Sequence, residues 1–317
     1  KPRFFFKDRM SFNLLLAQAL NGLQFGVLLF LMAAGLTLVF GIMSFINLAH
    51  GALYMFGAYF AALVFAASGS FGLALLAAAG GVFILAALLD AGGLAVLHKR
   101  DHLDQVLATF GIVLFSNEFV RWAWGNSPLF MDTPEALSNS VQILGFNYPA
   151  YRFAIIGVGL AVALGLYALI ERTRIGMLIR AGASNREMVS ALGVNIGWLN
   201  RFVFALGAGL AGLAGAMVGP ILSIQPGMGE PILVLTLVVI VIGGIGSIRG
   251  AFLGALVVGV VDTLGRVLLP IWLRELFDAS VANAAGPALA SMLVYLLMVL
   301  VLAFKPDGLF PVKARQQ

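Results

Sequence analysis

Cysteine is absent from the 317 residues and histidine occurs three times. A disulfide framework and a thiolate metal site are therefore excluded. His50, His98 and His102 have no metal-like partner set. His98 and His102 are spaced i, i+4, but they flank Lys99 and Arg100, which disfavour a cation, so this stretch is read as a solvated basic turn. Charge of either sign is scarce: Asp, Glu, Lys and Arg make up 10% of the chain, against roughly 25% in a soluble domain with a wet surface. The patterns GxxxxGK[ST], HExxH and GxSxG do not occur. The chain is thus not expected to bind ATP itself, to be an enzyme, or to need a cofactor.

Apolar residues fill the space the charges leave. They make up 61% of the chain, mean hydropathy is +1.02, and the 38 glycines suit close helix packing in lipid. The expectation is an all-α polytopic membrane protein whose first partner is the lipid bilayer, with residues 1–317 forming a single transmembrane domain. The net charge of +5 is a matter of orientation, since Lys and Arg gather in cytoplasmic loops, and implies no nucleic acid. The basic start KPRFFFKDRM, with no small-residue cleavage site after it, reads as a cytoplasmic anchor.

A bilayer crossing takes about 20 apolar residues. Apolar stretches lie at about 12–67, 71–97, 105–122, 152–170, 202–222, 231–268 and 288–304. Two are too long for one crossing, and the segment Gly243–Arg249 splits the later one. Basic clusters at Lys1–Arg9, Lys99/Arg100, Arg172–Arg201, Arg249 and Lys305–Arg315 share one side only if an even number of crossings precedes residue 98. Three spans within 12–67 satisfy this. The count becomes ten, both termini are cytoplasmic, and 15 of the 19 Lys and Arg lie inside. Arg121, Arg152, Arg266 and Arg274 remain at the outer ends, and 123–151 reads as a short structured outer cap.

Polar side chains within spans need partners or a function, because an unpaired polar group in hydrocarbon is costly. Asn47, His50 and Tyr54 share one helix face, as do Gln18, Asn21 and Gln24. Each set either lines a translocation path or locks the bundle by interhelical hydrogen bonds. Gly41, Gly51 and Gly57 permit a helix break beside Asn47 and His50. Glu118 pairs with Arg121 one turn on, near Trp122 and Trp124 of an interfacial belt. Asp90 and Asp262 have no evident partner in the sequence; an ion-coupled relay through them would make the chain a secondary transporter. Gly246/Gly250/Gly254 and Ala211/Gly215/Gly219 repeat every four residues and read as packing surface.

The longest inner segment contains IRAGASNREMVSALGVNI (179–196). Ser184 or Asn185 is a candidate N-cap for a short helix starting near Arg186 and Glu187, with Gly193 ending it. Leu192 and Ile196 would form an apolar tip within a charged rim, a shape suited to a groove on a partner. The spacing from Glu187 through Met188 and Val189 to Gly193 resembles the coupling loop of ABC-importer permeases. GLTLVFGIMSFINLAHGALYMFGAY (35–59), FALGAGLAGLAGAMVGP (204–220) and VVIVIGGIGSIRGAFLGALVVG (238–259) resemble, in order, blocks of the branched-chain amino-acid permeases, most closely the LivH type. The resemblance implies a type II importer-like fold of about ten spans in a bacterial inner membrane. It also implies a second permease subunit of the LivM type, two cytoplasmic ATPase subunits and a periplasmic substrate-binding protein. The coupling role would fall to Ser184, Asn185, Arg186, Glu187, Met188, Leu192 and Gly193. The substrate would be a branched-chain or other hydrophobic amino acid, with urea, short amides or aromatic acids as alternatives.

Overall fold

The computed structural model describes residues 12–98 and 100–311. The basic start of the chain, Lys99, and Lys313 and Arg315 of the tail lie outside the described residues. Helix α1 (Phe12–Met43) is followed by a break at 44–49 and by α2 (His50–Ser68). A two-residue turn leads to α3 (Phe71–Leu89), which continues through a π-helical turn (Asp90–Leu94) into α4 (Ala95–Leu97). Then come α5 (His102–Trp124), a 3₁₀ turn (Glu135–Leu137), the hairpin β1 (Ser140–Ile143) and β2 (Phe146–Pro149), and α6 (Ala150–Arg172). The remainder is α7 (Arg174–Ser184), α8 (Arg186–Ala191), α9 (Ile196–Val218), α10 (Gly229–Gly243), α11 (Ile248–Leu273) and α12 (Ala279–Phe304). The two strands pair antiparallel, Ser140 opposite Pro149 and Ile143 opposite Phe146. The cap expected at 123–151 is thus a 3₁₀ turn and a hairpin.

Among the described residues eight helices are long and apolar enough to cross a bilayer, and α10 is a shorter apolar helix of 15 residues. The ten-span count is corrected at its start. Residues 12–67 hold two helices, not three, because α1 alone takes 32 residues, about 48 Å of rise, and six more form the break. Three candidate spans therefore precede residue 98, α3 and α4 making one, and the expected parity fails: Phe12 and Phe304 lie at opposite ends of the bundle. Asn21 of α1 bonds Tyr148 in the hairpin, whereas Leu309 and Phe310 bond the last turn of α10 at the other end. Loop length and hydropathy alone could not separate one long helix with a break from two shorter ones.

Helix α1 is the axis of the bundle. Its residues from Val27 to Val39 are buried all round, as expected for a uniformly apolar helix. It packs on α11, α9, α6 and α10, while α2 and α3 cover α9. Lipid supplies no hydrophobic force between helices, so contact has to come from close van der Waals approach. Glycines allow it: Gly35 meets Gly207, Gly57 meets Gly212, Gly215 meets the Tyr54 carbonyl, and Gly250 meets Gly243 backbone to backbone. The Gly250, Gly254, Ala211 and Gly215 rows thus pack this chain's own helices on one another. Gly246 departs from its row and sits in the turn after α10 at φ +81°. The chain end crosses that turn, where Leu309 and Phe310 donate N–H groups to the carbonyls of Ile242 and Gly243 at 2.9 and 3.0 Å. Two carbonyls that a helix terminus leaves open are satisfied in this way.

Two helices start inside the bundle. His50 Nε2 lies 3.1 Å from the Met32 carbonyl, eleven residues before the end of α1, so α2 begins about 16 Å short of that end. Helix α10 begins 15 residues, about 22 Å, from its own end at Gly243. The two starts touch through the backbones of Gly51 and Gly229. Irregular backbone at this depth is tolerated because it is buried in protein. The 44–49 break is held by α5, with Gln105 Oε1 and Thr109 Oγ1 accepting the N–H groups of Ile46 and Leu48 at 3.3 and 3.2 Å.

Candidate functional site

The two polar faces expected to line a path separate in the structure. Gln18 and Asn21 are half-buried near the start of α1, and Asn21 Nδ2 donates to Gln18 Oε1 at 3.1 Å. Asn21 Oδ1 accepts from the Tyr148 hydroxyl at 3.1 Å and from Arg152, so this face ties α1 to the hairpin and α6. Burial pushes the Tyr148 hydroxyl above its usual pKa, against the opposing pull of Arg152 beside it. Gln24 is buried one turn further along α1. Asn47, His50 and Tyr54 are at most 3% exposed and sit at the inner start of α2. His50 bonds across to α1, whereas neither polar atom of Asn47 has a hydrogen-bond partner among the described residues.

The segment 173–195 forms two short helices meeting at Asn185. Thr173 caps α7 by accepting the Gly176 N–H at 3.0 Å. Asn185 Oδ1 accepts the Met188 N–H at 2.9 Å, so of the two candidate caps Asn185 caps α8 and Ser184 ends α7. Glu187 falls in the first turn of α8, where a carboxylate suits the helix dipole. Gly193 has φ +87°; its N–H and that of Val194 bond back to Ser190 and Val189, a Schellman closure that favours glycine. Val189 is buried against the bundle, while Met188 is 59% and Leu192 76% exposed. Ile196, the other residue of the expected tip, is half-buried as the first residue of α9. Met177 on α7 and Trp198 on α9 are also exposed apolar residues, which sequence spacing did not single out.

This end also gathers cations. Arg100, Arg172, Arg174, Arg180, Arg186, Arg201, Arg249 and Lys305 lie here, and the other four described basic residues, Arg121, Arg152, Arg266 and Arg274, lie at the hairpin end. Glu171 links two of the first group, 3.6 Å from Arg180 and 3.8 Å from Arg249.

Asp90, expected to stand alone, does not. It is 1% exposed at the π-helical turn, with His98 Nε2 at 3.2 Å and Arg201 Nε at 3.3 Å. His98 is thereby corrected from a solvated basic turn to an inward-facing partner, with Phe45 edge-on to its ring at 5.0 Å. Asp262 is likewise paired, receiving two 2.8 Å hydrogen bonds from Arg266 one turn along α11. Arg266 stands at i+4 from Asp262, a helical spacing the sequence reading passed over, whereas Arg201 is 111 residues from Asp90. Glu118 and Arg121 pair as expected. A further polar group escaped sequence reasoning: Asn117 Nδ2 donates to Glu230 Oε1 at 2.6 Å, and its Oδ1 accepts the Gly227 N–H at 3.2 Å. Neither residue forms a motif, since they are 113 positions apart.

Long apolar helices, with two helix starts buried within the bundle, are those of a multi-pass membrane protein. The chain belongs to the family described as branched-chain amino acid transport system / permease component, whose profile matches residues 18–302. Among its relatives, the high-affinity branched-chain amino acid permease protein BraD of Pseudomonas aeruginosa is 29% identical, covering 93% of this chain and 95% of its own length. The permease proteins LivH of Salmonella typhimurium and Escherichia coli K12 are 29% and 28% identical, each over 94% of this chain and 96% of their own. No solved structure matches the chain.

Proposed function

We propose that this chain is one transmembrane permease subunit of a binding-protein-dependent ABC importer for branched-chain and other hydrophobic amino acids. Nothing in its sequence handles ATP, so the work of uptake comes from two ATPase subunits on the cytoplasmic face. A second permease subunit of the LivM type completes the pore, and a periplasmic binding protein delivers substrate. The observation that carries the reading is the exposed pair Met188 and Leu192 on the capped α8 segment, at the end of the bundle where most of the described arginines lie. Ser184, Asn185, Arg186, Glu187, Met188, Leu192 and Gly193 form the coupling element, which docks in an ATPase groove. Closure of the ATPase pair then moves the spans flanking it, α6 (through α7) and α9.

Orientation follows from the charge bias. The α8 end, with eight of the twelve described Lys and Arg, is cytoplasmic in a bacterial inner membrane, and the hairpin end faces the periplasm. Substrate passes where the starts of α2 and α10 meet. Asn47, His50 and Tyr54 are buried in this conformation and reach the path when α2 and α10 part, as alternating access requires. Asn21, with Gln18 bonded behind it, holds α1 to the periplasmic hairpin beside the entrance, and Gln24 is buried one turn further along α1.

The test is uptake in liposomes with all subunits and the binding protein present. Glu187→Arg and Gly193→Pro abolish ATP-driven uptake and substrate-stimulated ATP hydrolysis while the subunit still inserts. Proline cannot adopt the positive φ at 193, and arginine at 187 sets a like charge against a basic groove. Normal uptake by both variants refutes the coupling role. Uptake by this chain alone on a proton or sodium gradient replaces the reading with a secondary transporter.

A further inference from the structure

The two carboxylates buried in the long helices each have a cation beside them: Asp90 has Arg201 at 3.3 Å and Asp262 has Arg266 at 2.8 Å. This is the expected arrangement, since a carboxylate removed from water is costly unless it is paired. Glu171 and Glu118 are more exposed and are paired as well, with Arg180 and Arg121. Asp101, Asp104, Asp132, Glu135, Glu187, Glu275, Asp278 and Asp307 are exposed. Glu230 fits neither group. It is half-buried in the first turn of α10, at the depth where that helix meets the start of α2, and no cation lies within ion-pair distance of it among the described residues. Among the described residues its carboxylate receives one hydrogen bond, from the neutral amide of Asn117, which engages Oε1 and is itself fixed by the Gly227 N–H.

The surroundings suggest what completes it. Val234 and Leu237 follow Glu230 at i+4 and i+7 on the same face of α10, and both are exposed, at 44% and 37%. The result is a short stripe with a carboxylate at its outer end and aliphatic carbons along it, open toward the outside of this chain. A charge and an apolar wall in that order complement a small molecule with a cationic head and an aliphatic body.

We propose that Glu230, positioned by Asn117, is a transit contact for the ammonium group of the substrate, whose side chain slides along Val234 and Leu237. The assignment rests on the permease reading and narrows it: a zwitterionic aliphatic amino acid is favoured over an uncharged amide. The contact is weak by construction, because the single carboxylate holds the head group without a second anchor, and release toward the cytoplasm stays easy.

The experiment uses the complete importer in liposomes, with L-leucine and acetamide as probes. Wild type takes up leucine and not acetamide. Glu230→Gln lowers leucine uptake by about tenfold or more, the range for loss of a hydrogen bond to a charged group. Glu230→Asp restores part of it, and both variants co-purify with the partner subunits as wild type does. Leucine uptake by Glu230→Gln at the wild-type rate overturns the contact, as does loss of uptake together with loss of co-purification, which would mark a structural role. ATP-dependent uptake of acetamide but not leucine by wild type overturns the ammonium assignment and leaves the permease reading standing. Uptake of neither probe refutes the substrate class on which the contact depends.

Discussion

Replacing Gly26 by alanine tests whether backbone proximity, not burial as such, holds the bundle axis together. A methyl group at Gly26 would lie 2.8 Å from the carbonyl oxygen of Ala255 and 2.9 Å from the Cα of Leu256, both on α11. Attractive contact between carbon atoms begins near 3.5 Å, so α11 must retreat by about 0.6 Å. Neither obstacle is a side chain that can swing away, and forcing extra atoms into a packed interface costs about 1–3 kcal/mol. Alanine also gains up to about 1 kcal/mol over glycine in a helix, which hides part of the clash. Gly80→Ala in α3 removes this ambiguity, because a methyl there meets nothing within 4 Å. The propensity gain is common to both variants, so their difference isolates the clash. In detergent, followed by tryptophan fluorescence through denaturant unfolding, Gly80→Ala should equal or exceed wild type. Gly26→Ala should fall below Gly80→Ala by about 1–3 kcal/mol. Equal stability of the two variants would refute the claim that α1 and α11 touch through their backbones.

Arg201→Ala leaves Asp90 buried with His98 as its remaining partner; Arg201 is 45% exposed, so the loss should fall below the about 3–5 kcal/mol of a fully buried pair, read from the same unfolding assay. On the natural cysteine-free background, Met188→Cys and Leu192→Cys should react with a hydrophilic thiol reagent from the α8 side, and Asn47→Cys should not without trapped nucleotide. Reactivity of Asn47→Cys in every state would contradict its burial at 2%. A tag within 128–140 should be reached by protease on the face opposite to one fused after Phe310, the outcome expected of an odd number of crossings between them.

Composition by itself settled that this chain lives in lipid, because 10% charge cannot wet the surface of a protein this size. Local pattern settled α8: Asn185 and Gly193 are start and stop signals that act within one turn, and both work as the sequence suggests. Glu118 and Arg121 were legible for the same reason, as neighbours on one helix face. The tertiary structure decided what depends on which helices meet. Apolar length does not say where a helix breaks, so α1 and α2 read as three spans until His50 was found beside Met32. Asp90 with Arg201 and Asn117 with Glu230 join residues more than a hundred positions apart, and no periodicity records such a pairing. Hydropathy reports the solvent a segment prefers, a one-body property, whereas pairing of charges and contact of glycine backbones are properties of two helices at once and exist only after they pack.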